Sequence, residues 1–291
     1  MTAQAKASYS PFTLQLYTRL QRQYLQWCRE QQRDPKDAAT LLDYLADRAA
    51  KGYSPTTIRQ ISAACQAWLY DEEAWKPDER LSEFFATPQP RRRDTQSVEP
   101  FTLEMLQQVS WRSGLEGVRD RALMLVGFYG ALHTRELLDL NIEDIEVTSD
   151  GIVLHVRSGR TSRQVTIPRD GTLAPVEALK EWLEVLRKYG FTSGPVFRRV
   201  FWGRLRNQRT QVATVNLIVK HYAAQLGYDP KQFAAGSLRM GFIKSALEHG
   251  VPVEIIMRQA GISHFMSMQR LLERYKPSST TRQLQAVSWS L

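Results

Sequence analysis

Between Thr87 and Gln96 the chain reads TPQPRRRDTQ. Two prolines and three consecutive arginines in so short a stretch resist both helix and burial, so this segment separates cores rather than joining one. It divides the sequence into a first domain at 1–86, a basic linker at 87–99, a second domain at 100–275 and a tail at 276–291. With 291 residues, 43% of them hydrophobic, the chain has enough apolar material for two cores of ordinary size.

The first domain reads as helices. Thr13, Tyr17, Leu20, Tyr24, Trp27 and Cys28 recur at three- and four-residue spacing and define one buried stripe. Arg19, Arg22, Gln26 and Arg29 fall on another face. A second helix starts near Asp37 and stops at Gly52. A third opens with Ser54 as N-cap and Pro55 in the first turn, burying Ile58, Ile61, Cys65 and Trp68 and leaving Arg59 outside. A short fourth helix is expected near Leu81–Phe85.

The second domain opens with Thr102 as an N-cap. An apolar helix at about Arg121–Tyr129 is expected to be central. Ile152–Val156 and Arg163–Ile167 alternate around a six-residue polar turn, which predicts a hairpin. Further helices are expected at Val176–Tyr189, Val212–Leu226, after Ser237, after Pro252 and near Met266–Tyr275. The fold class is therefore mainly α with a small β-hairpin or sheet.

Charge is spread unevenly. The formal net charge is +9, yet residues 1–99 contribute only +1 of it. From Val185 to Tyr228 there is no Asp or Glu, while Arg198, Arg199, Arg204, Arg206 and Arg209 interleave with Phe197, Phe201 and Trp202. This pattern suits a surface that tracks a polyanion, nucleic acid above all. Arg91, Arg92 and Arg93 in the linker suit a hinge lying along a phosphate backbone. Cys28 and Cys65 sit among apolar neighbours and read as core. No paired Cys/His spacing points to a metal, and no cofactor is expected. The sequence shows no signal-peptide pattern and no apolar run of about 18 residues, so the expected place is the cytoplasm, on the nucleoid, with no membrane partner.

Several stretches resemble the tyrosine site-specific recombinase (phage integrase) family. Residues 9–70 look like its SAM-like core-binding domain: a helix ending in Trp27-Cys28, one leading to Tyr44-Leu45, then Gly52-x-Ser54-Pro55-x-Thr57-Ile58. Residues 100–275 look like its catalytic domain, through Val118-Arg119-Asp120-Arg121-Ala122-Leu123, Gly130-Ala131-Leu132-His133-Thr134-Arg135-Glu136-Leu137, Gly236-Ser237-Leu238-Arg239-Met240-Gly241-Phe242 and Ile255-Ile256-Met257-Arg258-Gln259-Ala260-Gly261.

The resemblance implies a clamp on duplex DNA and metal-free transesterification at a phosphodiester. A tyrosine attacks phosphorus, two arginines hold the non-bridging oxygens, a lysine on the hairpin turn protonates the leaving oxygen, and two further residues support the phosphate. Charge growing on phosphoryl oxygens calls for preorganised cations, which guanidinium supplies as a fork. Carried over, the first arginine falls on His133, and Arg135 lies two residues away on another helical face. The lysine falls near Gly159, among Arg157, Arg160 and Arg163, none of which can replace a lysine proton donor. The first support falls on Gly236, the second on Ile262, and the nucleophile on Leu271. Arg239 alone keeps its family identity.

Three functions follow as alternatives. The first is a catalytically inactive DNA-binding homologue, an architectural, regulatory or accessory factor in recombination or in a mobile element. The second is an active recombinase or relaxase-like nicking enzyme with a rearranged site, using Tyr275 with His133, Arg160, Arg239 and His264. The third is a protein-interaction module that kept the fold. The expected DNA contacts are Arg19, Arg22, Arg59, Arg91, Arg92, Arg93, Arg160, Arg198, Arg199, Arg204, Arg206 and Arg239. Leu284, Val287, Trp289 and Leu291 in the tail suggest docking on another protomer or on an active recombinase.

Overall fold

The structure is a computed structural model that describes residues 9, 11–69, 79–87, 98–158, 161–170 and 172–275. Arg91, Arg92, Arg93, Gly159, Arg160 and the tail from 276 onward lie outside the described residues. Two compact units divide the chain, Met1–Thr95 and Gln96–Leu291.

In the first unit, α1 (Pro11–Glu30), α2 (Ala38–Ala50), α3 (Pro55–Leu69) and the short α4 (Arg80–Ala86) surround one core. Leu20, Tyr24 and Cys28 enter it from α1, Leu41, Tyr44 and Leu45 from α2, and Ile58, Ile61, Cys65 and Leu69 from α3. Ser54 caps as the sequence reads, and Asp37, where the second helix is expected to start, proves to be its N-cap. Asp37 accepts from the Ala39 and Thr40 amides, and Ser54 Oγ accepts from the Thr57 amide at 3.1 Å. The buried Tyr24 hydroxyl donates to the Pro35 carbonyl at 2.9 Å.

The second unit is organised on α6 (Gly114–Tyr129), preceded by α5 (Leu103–Gln108) and followed by α7 (Thr134–Asp139). Expected to start at Arg121, α6 begins seven residues earlier. The polar Arg119 and Asp120 do not end it, because their charges are paired where they are buried. Asp120 receives Arg119 at 2.7 Å and also the Arg112 guanidinium. Around α6 stand α8 (Pro175–Lys188), α9 (Val212–Gln225), α10 (Ser237–Glu248), α11 (Val253–Ala260) and α12 (Phe265–Arg274).

A three-stranded antiparallel sheet runs β1 (Ile145–Val147), β2 (Gly151–Ser158), β3 (Thr161–Pro168). The β2–β3 register pairs Ile152 with Ile167 and Ser158 with Thr161, so the six-residue turn expected from the sequence shrinks to two residues. Ladder hydrogen bonds need no apolar side chains, and the polar strand ends continue the pairing past the point where alternation stops. A second hairpin, β4 (Arg198–Phe201) and β5 (Arg204–Arg209), went unread in the basic stretch. Among the described residues no helix is long and apolar enough to cross a membrane.

Candidate functional site

The ends of α6 and α11, the start of α7, the start of α10 and strand β3 meet at one place. A helix ends with carbonyls that lack intrahelical partners. Here the Arg239 guanidinium, third residue of α10 and 6% exposed, serves the last carbonyl of α11 and one in the turn just past α6. Its Nη1 donates to the Ala131 carbonyl at 2.6 Å and to the Ala260 carbonyl. The chain reverses at Ala131 with a positive φ of 46°, which turns that carbonyl towards the arginine.

Glu136 lies beside this pair on α7, buried. One of its oxygens, Oε2, accepts from the His133 amide at 2.9 Å and from Arg163 Nη2 at 3.0 Å. Arg163 comes from β3, and its Nη1 donates to the Gln259 carbonyl at 2.8 Å. Its approach depends on Gly261, which ends α11 at φ +63°. A Cβ at that position would lie 2.6 Å from Arg163 Nε. Gln259 completes the frame, donating from Nε2 to the Tyr129 carbonyl at 2.8 Å and to the Thr166 carbonyl at 2.9 Å.

Arg163 is ion-paired with Glu136 and Arg239 feels the field of both, so two guanidiniums stand against one carboxylate and the cluster carries excess positive charge. Burial pulls the Arg239 pKa down to about 10, with Glu136 opposing and Arg163 adding to the fall. Arg239 remains a cation at neutral pH. His133 has its pKa lowered, by burial first and by the Arg239 guanidinium next, with Glu136 opposing and Arg163 assisting. Its side chain still reaches solvent, so water softens these effects. The arrangement can hold an anion and offers a neutral imidazole beside it.

The other positions carried over by resemblance have different surroundings. Gly236 precedes α10, and a Cβ added there would meet only Val98 Cγ2, at 3.8 Å. Ile262 and Leu271 are half-buried against the hydrophobic core. His264 is exposed at the start of α12. Tyr275 follows α12 and is 8% exposed, its hydroxyl buried without a hydrogen-bond partner and the Arg274 guanidinium 5.1 Å from its ring centre. Burial raises its pKa, so the hydroxyl keeps its proton.

Of the expected DNA contacts, Arg19, Arg22, Arg199, Arg204 and Arg206 are exposed, and Arg59 is exposed with its guanidinium 5.6 Å from the Phe85 ring centre. Arg198 is a correction. It is 2% exposed, donates to the Ser193 carbonyl at 2.7 Å and to Asn207 Oδ1, and lies 4.0 Å from the Phe191 ring centre. A strand alternates its faces, and Arg198 took the inward one. Phe197, read beside it as a surface aromatic, is likewise in the core.

Sequence reasoning gave Arg163 no role of its own beyond neighbouring the hairpin turn. The signal was present, since Arg163, Val165 and Ile167 share one side of β3, and the last two are buried. An arginine in phase with core residues has to find a partner inside.

The fold and the cluster at the helix ends define a recombinase-type catalytic unit. The chain belongs to the phage integrase family, whose profile matches residues 98–276. An integrase/recombinase xerD homolog of Selenomonas ruminantium is 33% identical over 181 residues, 60% of this chain and 52% of that protein, so this match spans about half of the relative's length. The tyrosine recombinase XerD of Pasteurella multocida is 27% identical over 271 residues, 87% of this chain and 88% of the relative. Among solved structures, the Tn1549 transposon integrase in complex with a circular intermediate DNA is similar with a TM-score of 0.62 at 16% identity, covering 94% of this chain and 91% of that one. XerH bound to a palindromic difH substrate has a TM-score of 0.59 at 16% identity, covering 82% and 69%.

Proposed function

We propose that this chain binds duplex DNA and has lost the strand-transfer chemistry of its family. It acts as an architectural, regulatory or accessory factor in DNA recombination or in a mobile element, on the nucleoid. The observation that carries this reading is Leu271, half-buried against the hydrophobic core where the resemblance calls for the nucleophile. A leucine has no oxygen to attack phosphorus. Tyr275, four residues on, holds its hydroxyl buried and without a hydrogen-bond partner among the described residues. Removing one cation from a phosphoryl-transfer site costs about 10³–10⁵ in rate, and here the first arginine and the lysine are both replaced. What remains, two guanidiniums on one carboxylate, suits holding a backbone phosphate without breaking it.

Support for the DNA partner comes from relatives of the same fold, which are bound to DNA in their solved complexes. It also comes from the exposed arginines of both units. Residues 276–291 are the proposed means of association with a second copy or with an active recombinase.

The test has two arms. Duplex binding should fall by about 10³–10⁵ between 50 and 200 mM salt if about 6–10 phosphates are contacted. A nicked suicide duplex carrying a selected site should give no protein–DNA adduct on a denaturing gel. A salt-insensitive or absent interaction overturns the DNA reading. An adduct lost in Tyr275→Phe but kept in Tyr222→Phe overturns the loss of chemistry and makes the chain an enzyme.

A further inference from the structure

The β4–β5 hairpin turns on Trp202 and Gly203, with φ of 54° and 65°. Positive φ at both central residues, with Phe201 paired to Arg204, is a two-residue turn of the primed kind that matches strand twist. Asparagine, aspartate or glycine ordinarily takes the first of these positions. A bulky side chain there is strained. Yet the residue is tryptophan, and it is 84% exposed, so the strain gains no burial in return.

The surroundings of this ring are ordered. Phe201 stands edge-on to it at 6.1 Å, and the Arg199 guanidinium lies 5.0 Å from the Phe201 ring centre. Val200 and Leu205 pack towards the core, while Arg199, Phe201, Arg204 and Arg206 are exposed. The tip is tied to the body. The Gly203 amide donates to Glu116 Oε1 on α6 at 3.2 Å, so the acid beside the turn is occupied by backbone. An exposed flat aromatic face results, flanked by three cations on an element without acidic residues.

We propose that this tip is a base-stacking wedge: Trp202 stacks on a nucleobase exposed at a gap or unpaired step in duplex DNA, while Arg199, Arg204 and Arg206 hold the flanking phosphates. The proposal rests on the DNA-binding reading above. Stacking needs an accessible base face, and a continuous duplex hides its base faces while a gap uncovers them. The arginines act on the backbone of either substrate and read no sequence. The wedge therefore selects DNA by structure.

The experiment uses the full chain and compares anisotropy titrations of a labelled continuous duplex with the same duplex carrying a short central gap. Wild type should bind the gapped form more tightly, by roughly 5- to 100-fold, the range expected for one aromatic–base stack. Trp202→Ala should abolish this preference and leave continuous-duplex affinity unchanged. Trp202→Gly should do the same while matching or exceeding wild type in thermal stability, because glycine relieves the positive φ. Arg204→Ala/Arg206→Ala should weaken both duplexes alike. If neither duplex binds, the DNA reading fails and this one with it. If both bind without preference, or the preference survives Trp202→Ala, only the wedge fails. A preference that survives while self-association by sedimentation is lost would place a protein at the tip and likewise overturn the wedge.

Discussion

Arg163 Nη2 stands 3.0 Å from Glu136 Oε2, an ion pair closed between β3 and the first turn of α7. It places a guanidinium from the sheet in the field of Arg239, a role that neighbouring the hairpin turn did not give Arg163. Glu136 is the carboxylate that balances these cations: it is ion-paired with Arg163 and opposes the fall of the Arg239 pKa.

Removing that carboxylate should be costly. Glu136→Ala leaves Arg163 and Arg239 facing each other, and breaking a buried pair costs about 3 kcal/mol. Arg163 is more open to water, with its side chain 21% exposed, so Arg163→Ala should cost less than Glu136→Ala. Arg239→Ala bares the Ala131 and Ala260 carbonyls, at about 1–3 kcal/mol each. Urea unfolding of the three variants checks the order. A Glu136→Ala protein as stable as wild type would refute the shared-carboxylate account.

Gly261→Ala combines a left-handed φ with a methyl group 2.6 Å from Arg163 Nε. Strain of this kind costs about 1–3 kcal/mol. In a background where Arg163 is already alanine, only the backbone strain should remain. A double-mutant cycle should thus show coupling between the two positions; strict additivity would mean that the close approach carries no energy.

Arg198 and Arg206 should separate cleanly. Arg198→Ala removes a buried, hydrogen-bonded guanidinium and should lower stability by about 2 kcal/mol without changing the salt dependence of DNA binding. Arg206→Ala should leave stability within about 0.5 kcal/mol and reduce the salt slope by about one. The opposite assignment of effects would restore Arg198 to the surface.

His133 gives a pH signature. Its folded pKa is depressed, by burial first and Arg239 second, below the unfolded value of about 6.5. Between those two values the unfolded chain binds more protons, so stability rises with pH there and is lost as pH falls through the window. Above about pH 7 the contribution is present in full. Urea midpoints from pH 7 down to 5 should fall more steeply for wild type than for His133→Asn. Parallel curves would show that the imidazole titrates as if free in water.

Much of this fold is legible in the sequence because helices announce themselves by spacing and caps: Ser54 and Thr102 cap as read, and the helix expected near Asp37 starts there. The start of α6 was hidden because Arg119 and Asp120 look like surface residues until a third charge, Arg112, is brought beside them by folding. The β4–β5 hairpin was hidden for a related reason. Its strands are short and rich in arginine, and its turn residue is tryptophan where a glycine or asparagine would have given the signal. At the site, the positions themselves could be placed by resemblance, but which cations point inward could not. That depends on strand phase for Arg163 and Arg198, and on which helix ends lie within reach of Arg239.

Arg239 differs from the other positions carried over by resemblance in what its replacement would do to the fold. The side chains at positions 133 and 264 end at solvent, and those at 262 and 271 fit apolar packing, so exchanging them leaves the architecture standing. Arg239 is different, because its Nη1 stitches the ends of two helices together. Replacing it would loosen the frame itself, since two carbonyls would lose their donor. Its place in the chain is thus bound to the mechanics of the frame, whatever chemistry is carried out beside it.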